Sequence, residues 1–306
     1  MHEQLPVLAR TLRGIEWIAR DEVRVRLGVE EIELGHRELR FTAPLSPALL
    51  ELGTVDDVFL VLAEIDGLTR HRASLARLAS LELDFDTLAR RLGRSRPRTF
   101  DVTASFLGRR NYNRFELEDA VAAAPGWIRV ARRSGTVSLR IHLVGSVATV
   151  AARIACTPLH RRAYRVATVP GSLHPPLARA LALLAGAAFV DPFCGAGTIP
   201  IEGALAGLTS RGSDVDATAI EAARLNAAAA HVEVPFSVAD AVSVAETDRV
   251  VTNPPWGRML PTAATVLPRA RKLVLLTQER PSLPNVVFEQ PVRVRGALAT
   301  ITVAEG

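Results

Sequence analysis

Residues 190–202 read VDPFCGAGTIPIE, and the way this stretch folds decides the architecture of the chain. The residues leading into it, Ala188-Phe189-Val190, form a short apolar run of the kind that makes a buried strand. Gly195 and Gly197 permit a tight turn and a close approach of the backbone to a ligand. A helix opening near Thr198 would point free N–H groups at an anion. A dinucleotide fingerprint requires a third glycine at position 200, where Pro200 stands, which argues against NAD.

Asp191, at the end of the strand, is placed to meet a cation. A ligand with a carboxylate for the helix end and an ammonium for Asp191 is an amino acid, and S-adenosylmethionine fits that pairing. Two further carboxylates support the choice. Asp214 ends the next strand in G-S-D-V-D, where it can accept from both ribose hydroxyls. Asp240 ends the third strand in S-V-A-D-A and could accept from an adenine amine. Asp216 reads as a helix cap. The candidate cofactor-binding set is therefore Asp191, Pro192, Cys194, Gly195, Gly197, Thr198, Asp214 and Asp240. Ser172 and Leu173 join it from the turn-rich stretch TVPGSLHPP (168–176).

Residues 252–257 read TNPPWG, directly after the apolar pair Val250-Val251. Proline fixes its own φ and holds the residue before it extended, so Asn253-Pro254-Pro255 is stiff. It presents acceptors: the Asn253 side-chain oxygen and the Pro254 carbonyl. Two acceptors suit a planar –NH2 group and favour a more tetrahedral nitrogen, whose lone pair can then attack a methyl. Catalysis of this kind is mostly positioning, with Asn253, Pro254 and Trp256 as the catalytic candidates. Trp256 can stack on the base that carries the amine, worth roughly 1–3 kcal/mol. Read alone, the loop also fits a proline turn beside a core tryptophan.

The charge is uneven. Residues 1–86 hold 10 basic and 16 acidic residues, residues 87–165 hold 16 and 4, and residues 166–306 hold 11 and 12. Nearly all the basic residues are arginines, whose planar fork suits phosphate, and one block this basic is the footprint of nucleic-acid binding. A solvated basic face is the alternative for any single arginine. The RNA-contact candidates are Arg109, Arg110, Tyr112 and Arg114 in L-G-R-R-N-Y-N-R, then Arg161 and Arg162 beside His160. No run of 18 apolar residues exists, so no membrane span is expected. The N-terminal residues lack a signal-peptide pattern. Two distant cysteines, Cys156 and Cys194, suit a reducing cytoplasm and suggest no metal site.

The pattern from about 170 onward alternates strands and helices as a doubly wound α/β fold does, with strands at 188–190, 212–214, 235–238, 249–252 and 273–276 and a closing pair at 285–288 and 297–303. Upstream, strands are expected at 7–9, 39–42, 99–104, 137–143 and 147–154. Helices are expected from Gly14, from Thr54, over 80–92 and from Glu116. TVPGSLHPP reads as a linker.

These motifs resemble those of the THUMP-domain class I RNA methyltransferases, which methylate the exocyclic N2 of guanosine. DPFCGAGTIPIE and TNPPWG are similar to the family's first and fourth methyltransferase motifs. TPLHRRAYR…PGSLHPPLA (157–178) resembles its join between the two halves, and RNYNR and RGIEWIARDE resemble it too. The resemblance implies a ferredoxin-like α+β domain (1–67), a THUMP RNA-binding domain (68–165) and a Rossmann-like methyltransferase domain (166–306). It implies that THUMP holds the 3′ end of a tRNA, that Asp191, Gly195, Gly197, Asp214 and Asp240 bind the donor, and that Asn253 and Pro254 hold the guanine amine. Two departures stand out: Trp256 replaces the usual tyrosine or phenylalanine, and the region between Gly257 and Leu273 is short. The expected protein is a cytoplasmic, monomeric enzyme that makes N2-methylguanosine in the tRNA acceptor stem, without a metal. Alternatives are a 23S rRNA guanine-N2 enzyme, a DNA-adenine or protein-glutamine methyltransferase, and an RNA-binding protein without catalysis.

Overall fold

The computed structural model describes residues 3–94, 96–121, 125–244, 247–256, 269–294 and 296–306. The backbone gathers into two compact units that interleave in sequence: Met1–Ala9, Arg40–Leu50 and Asp57–Pro158 form one, and Arg10–Leu39, Glu51–Asp56 and Leu159–Gly306 the other.

Chain order begins β1 (Leu5–Arg10), α1 (Glu16–Leu27), β2 (Glu33–Gly35), β3 (Glu38–Ala43) and β4 (Asp57–Ile65). It continues α2 (Ala76–Ala79), α3 (Phe85–Arg91), β5 (Thr99–Phe106), α4 (Arg114–Asp119), β6 (Ile128–Arg129), β7 (Val137–Val144) and β8 (Val147–Arg153). These strands make a sheet in the order β2-β3-β1-β4-β8-β7-β5-β6. Phe100, Leu139, Ile141 and Leu143 from its strands and Leu78, Leu88 and Leu117 from its helices build the core of the first unit.

The helix expected from Thr54 is instead strand β4, paired antiparallel with β8 from Phe59↔Arg153 to Ile65↔Ala148. Val58, Phe59 and Leu60 are all buried. An apolar run covered on both faces has no period to read, and its β-branched and aromatic residues favour the extended chain. Thr54 caps nothing there; its N–H and hydroxyl bond the buried Glu22 carboxylate at 2.8 and 2.6 Å. The helix expected over 80–92 contracts to α3, capped by Asp84 accepting from the Thr87 N–H.

The second unit follows with α5 (Pro175–Ala185), β9 (Phe189–Asp191), α6 (Thr198–Leu205), β10 (Ser210–Asp214), α7 (Ala217–Ala229), β11 (Phe236–Val238), β12 (Thr247–Thr252), β13 (Ala270–Thr277), β14 (Val286–Val294) and β15 (Ala297–Glu305). Its sheet runs β11-β10-β9-β12-β13-β15-β14. The first five are parallel, and β15 lies antiparallel to both β13 and β14. This is a mixed α/β fold on a Rossmann-like sheet. From β9 the chain builds outward to β10 and β11, then crosses to β12 on the other side. Strand order therefore reverses between β9 and β12, and the crevice at the carboxyl ends of those strands is where such sheets bind ligands. The expected linker is no free tether: Pro175 and Pro176 open α5, where a missing N–H has no cost.

Candidate active site

Thr252 ends β12 beside the end of β9, and its hydroxyl donates to Asp191 Oδ1 at 2.6 Å. The Phe193 N–H donates to the same oxygen at 3.1 Å. Asp191 is 1% exposed. Burial raises its pKa to about 7, with the nearby Asp214 adding in the same direction against these two hydrogen bonds. Among the described residues no ion pair reaches this carboxylate.

The glycine turn is fixed by the neighbouring strand. Asp214, at the end of β10, accepts the Gly195 N–H at 2.9 Å through one oxygen and the Asp216 N–H at 3.1 Å through the other. Asn226 of α7 donates to the carbonyls of Ala167 and Ala196 and accepts from the Ala167 N–H, tying the approach segment to the turn. Gly197 has φ +78°, and a Cβ on it would lie 2.8 Å from Phe236 and 3.0 Å from Ala223. It serves helix–strand packing and does not border the cavity. Gly197→Ala is expected to cost about 1–3 kcal/mol, read as a lowered thermal unfolding midpoint.

These elements and the 253–256 loop enclose one cavity of about 740 Å³. Of the sequence candidates it brings together Ser172, Leu173, Asp191, Cys194, Gly195, Thr198, Asp214, Asn253, Pro254 and Trp256. The Asn253 Oδ1 is buried and meets no hydrogen-bond partner among the described residues. Trp256 is half-buried, with its indole N–H 3.3 Å from the Leu276 carbonyl. Cys194 is buried, and burial pushes its thiol well up, so it lines the wall as an inert group.

Three cofactor candidates fall outside the cavity wall: Pro192, Gly197 and Asp240. The Asp240 carboxylate accepts the Val242 N–H at 3.1 Å and caps a short 3-10 turn. Sequence reasoning missed Thr252, whose signal was only its place before Asn253, and also Gln278 and Val215, which line the same cavity. The short region after Gly257 falls largely on 257–268, outside the described residues.

The RNA-contact candidates divide. Arg109, Arg114 and Arg161 are exposed, and Arg114 lies 4.9 Å over the Phe115 ring. Arg110 is held by the carbonyls of Leu68 and Gly145, and Tyr112 is buried with its hydroxyl on the Thr69 carbonyl. Arg162 pairs with buried Glu202 at 2.7 Å and donates to the Gly53 carbonyl at 2.6 Å. Those three side chains brace loops; the sequence shows that they are basic or aromatic but not that backbone carbonyls occupy them. Among the described residues no group of His, Cys, Asp and Glu could hold a metal, and no helix is long and apolar enough to cross a membrane.

Comparison with known proteins agrees with this geometry. Residues 162–269 match the RMKL-like methyltransferase domain, UPF0020. The ribosomal RNA large subunit methyltransferase K/L of Shewanella baltica is 25% identical over 230 residues, 55% of this chain and 32% of that protein. The tRNA (guanine(10)-N2)-dimethyltransferase of Methanothermobacter thermautotrophicus is 39% identical over 102 residues, 31% of this chain and 30% of that protein. The chain thus spans only about a third of the curated relatives it matches. The crystal structure of TrmN from Thermus thermophilus superposes with a TM-score of 0.79 at 27% identity, covering 98% of this chain and 99% of that one. Residues 162–269 are therefore similar to the RMKL-like methyltransferase domain, and the chain has the fold of the S-adenosylmethionine-dependent methyltransferases.

Proposed function

We propose that this protein is an S-adenosylmethionine-dependent RNA methyltransferase that forms N2-methylguanosine in tRNA, at a guanosine of the acceptor stem. The observation that carries the reading is the buried, unpartnered Asn253 Oδ1, sharing one cavity with the buried carboxylate of Asp191. Among the described residues the acceptor has no donor and the carboxylate no cation, and a guanine amine and an amino-acid ammonium would complete them.

The residues present fit the cofactor. Asp191 would take its ammonium, the N–H groups opening α6 its carboxylate, and Asp214 its ribose hydroxyls. Bound S-adenosylmethionine supplies an electrophilic methyl group. Asn253 Oδ1 and the Pro254 carbonyl accept from the two N–H bonds of the substrate amine and hold its lone pair toward the reacting carbon. The proton leaves nitrogen after the methyl arrives, so no strong base is needed in the cavity. Trp256 lines the same cavity, where the base would stack on it. A guanosine in a duplex must first be flipped out, at a few kcal/mol.

We assign residues 1–67 to a ferredoxin-like domain and 68–165 to a THUMP domain that binds the tRNA, a reading supported by the basic block over 87–165. The names of the K/L relatives favour 23S rRNA as a second substrate reading. Incubation with radiolabelled cofactor and separate tRNA and rRNA pools, followed by mass mapping of the modified nucleoside, distinguishes them. N2-methylguanosine in the tRNA acceptor stem is the expected result. Label in 23S rRNA alone would establish the second reading, and cofactor binding without transfer to any RNA would point to a binding protein.

A further inference from the structure

A second recess, of about 490 Å³, lies in the same unit and has a different character. Its wall includes Arg13, His36 and Arg293, all exposed, with Gln290 beside them. No ion pair holds Arg13 or Arg293 among the described residues; Arg293 reaches only the Gly296 carbonyl, at 3.5 Å. The one acid on the wall, Glu16, is already engaged, accepting the Gly14 N–H at 2.6 Å and the Arg37 N–H at 3.1 Å. The recess is kept open by a tight backbone approach: Gly14 has φ +101°, and a Cβ on it would lie 2.4 Å from the Pro291 carbonyl oxygen.

The β14–β15 hairpin connects this recess to the active site. Val294 pairs with Ala297 and Arg293 with Leu298. Val294 and Ala297 line the large cavity, whereas Arg293 and Leu298 line the recess. The two hollows therefore adjoin at the end of one hairpin, one residue apart along each strand, and Gln290, Pro291 and Val292 of the same strand complete the recess wall.

We propose that the recess holds a backbone phosphate of the RNA strand whose base enters the large cavity. Two guanidiniums, a histidine and an amide around a hollow next to the reaction site are the groups that grip a phosphodiester. The contact fixes where the strand crosses the hairpin, and so which nucleotide reaches Asn253. This proposal rests on the reading of the chain as an RNA enzyme.

The test is the double variant Arg13→Gln/Arg293→Gln in the full chain, with total tRNA as probe. The slope of log affinity against log salt is expected to shallow by about 1–2. The KM for tRNA is expected to rise about tenfold with a smaller change in kcat, and Arg13→Lys/Arg293→Lys to restore the slope. An unchanged slope and KM in a variant that binds S-adenosylmethionine normally would overturn the proposal. So would a wild-type midpoint raised by inorganic phosphate and lost in the variant while tRNA affinity stays the same, since the recess would then take a free anion. Failure of the wild-type protein to bind or methylate any RNA would instead remove the functional reading on which the proposal stands.

Discussion

Asn253→Ala is expected to lower kcat for methyl transfer by roughly two to three orders of magnitude, the usual cost of removing one preorganised polar partner at a reacting centre. The Asn253 oxygen is buried beside the cavity and has no partner among the described residues. Such an atom costs the free protein stability unless a ligand donates to it. Removing it therefore should not lower the thermal midpoint of the free protein, while transfer collapses. A core role predicts the opposite pair of results: lost stability and preserved activity. Single-turnover transfer at saturating RNA and cofactor, with a melting curve on the same samples, separates the two. Binding of S-adenosylmethionine should be little changed, because the groups proposed to hold its ammonium and carboxylate lie on β9 and α6.

Asp191→Asn is expected to weaken S-adenosylmethionine binding by roughly two orders of magnitude, in the range found when one member of a buried charge pair is removed. The pH dependence makes this specific. The folded, ligand-free pKa lies near 7 and the ordinary value is 3.8. Between these values the folded state keeps a proton that the unfolded chain releases, so this group makes the free protein less stable as pH rises from about 4 to about 7. Asparagine has nothing to ionise. The variant should lack that decline and should melt above wild type at pH 8 in the absence of ligand. A bound ammonium favours the ionised carboxylate. Wild-type affinity should therefore fall as pH drops below about 7, with a proton released on binding in that range. The variant should show neither effect. Titration calorimetry in buffers of different ionisation enthalpy counts the proton. Equal proton release from wild type and variant would remove Asp191 from this role.

Much of the second unit was legible from residue types alone. The strand, glycine turn and helix at 189–205 needed only an apolar run, two glycines and a helix start. The stiffness of 253–255 needed only two prolines. The basic block needed only counting. The failures share one physical cause. Val58-Phe59-Leu60 reads equally as helix or strand because burial on both faces erases the period. Gly197 reads as a ligand-facing glycine until Phe236 and Ala223 are seen pressed against it. Arg110 and Arg162 read as free cations because the carbonyls that occupy them belong to residues 42 and 109 positions away.

By itself the sequence determined the chemical inventory and the local conformations: a carboxylate ending a strand, a tight glycine turn, and a rigid loop of acceptors. These follow from each residue's own dihedral limits and functional groups, which need no distant partner. Tertiary structure alone decided that β9 and β12 lie side by side, so that Thr252 anchors Asp191 and Asn253 borders the same cavity. It alone placed a basic recess beside that cavity, at the end of the β14–β15 hairpin. Strand order and burial are properties of the whole packed chain, and the pKa of Asp191 is raised by burial that only the packed chain provides, against the hydrogen bond from Thr252, 61 positions away.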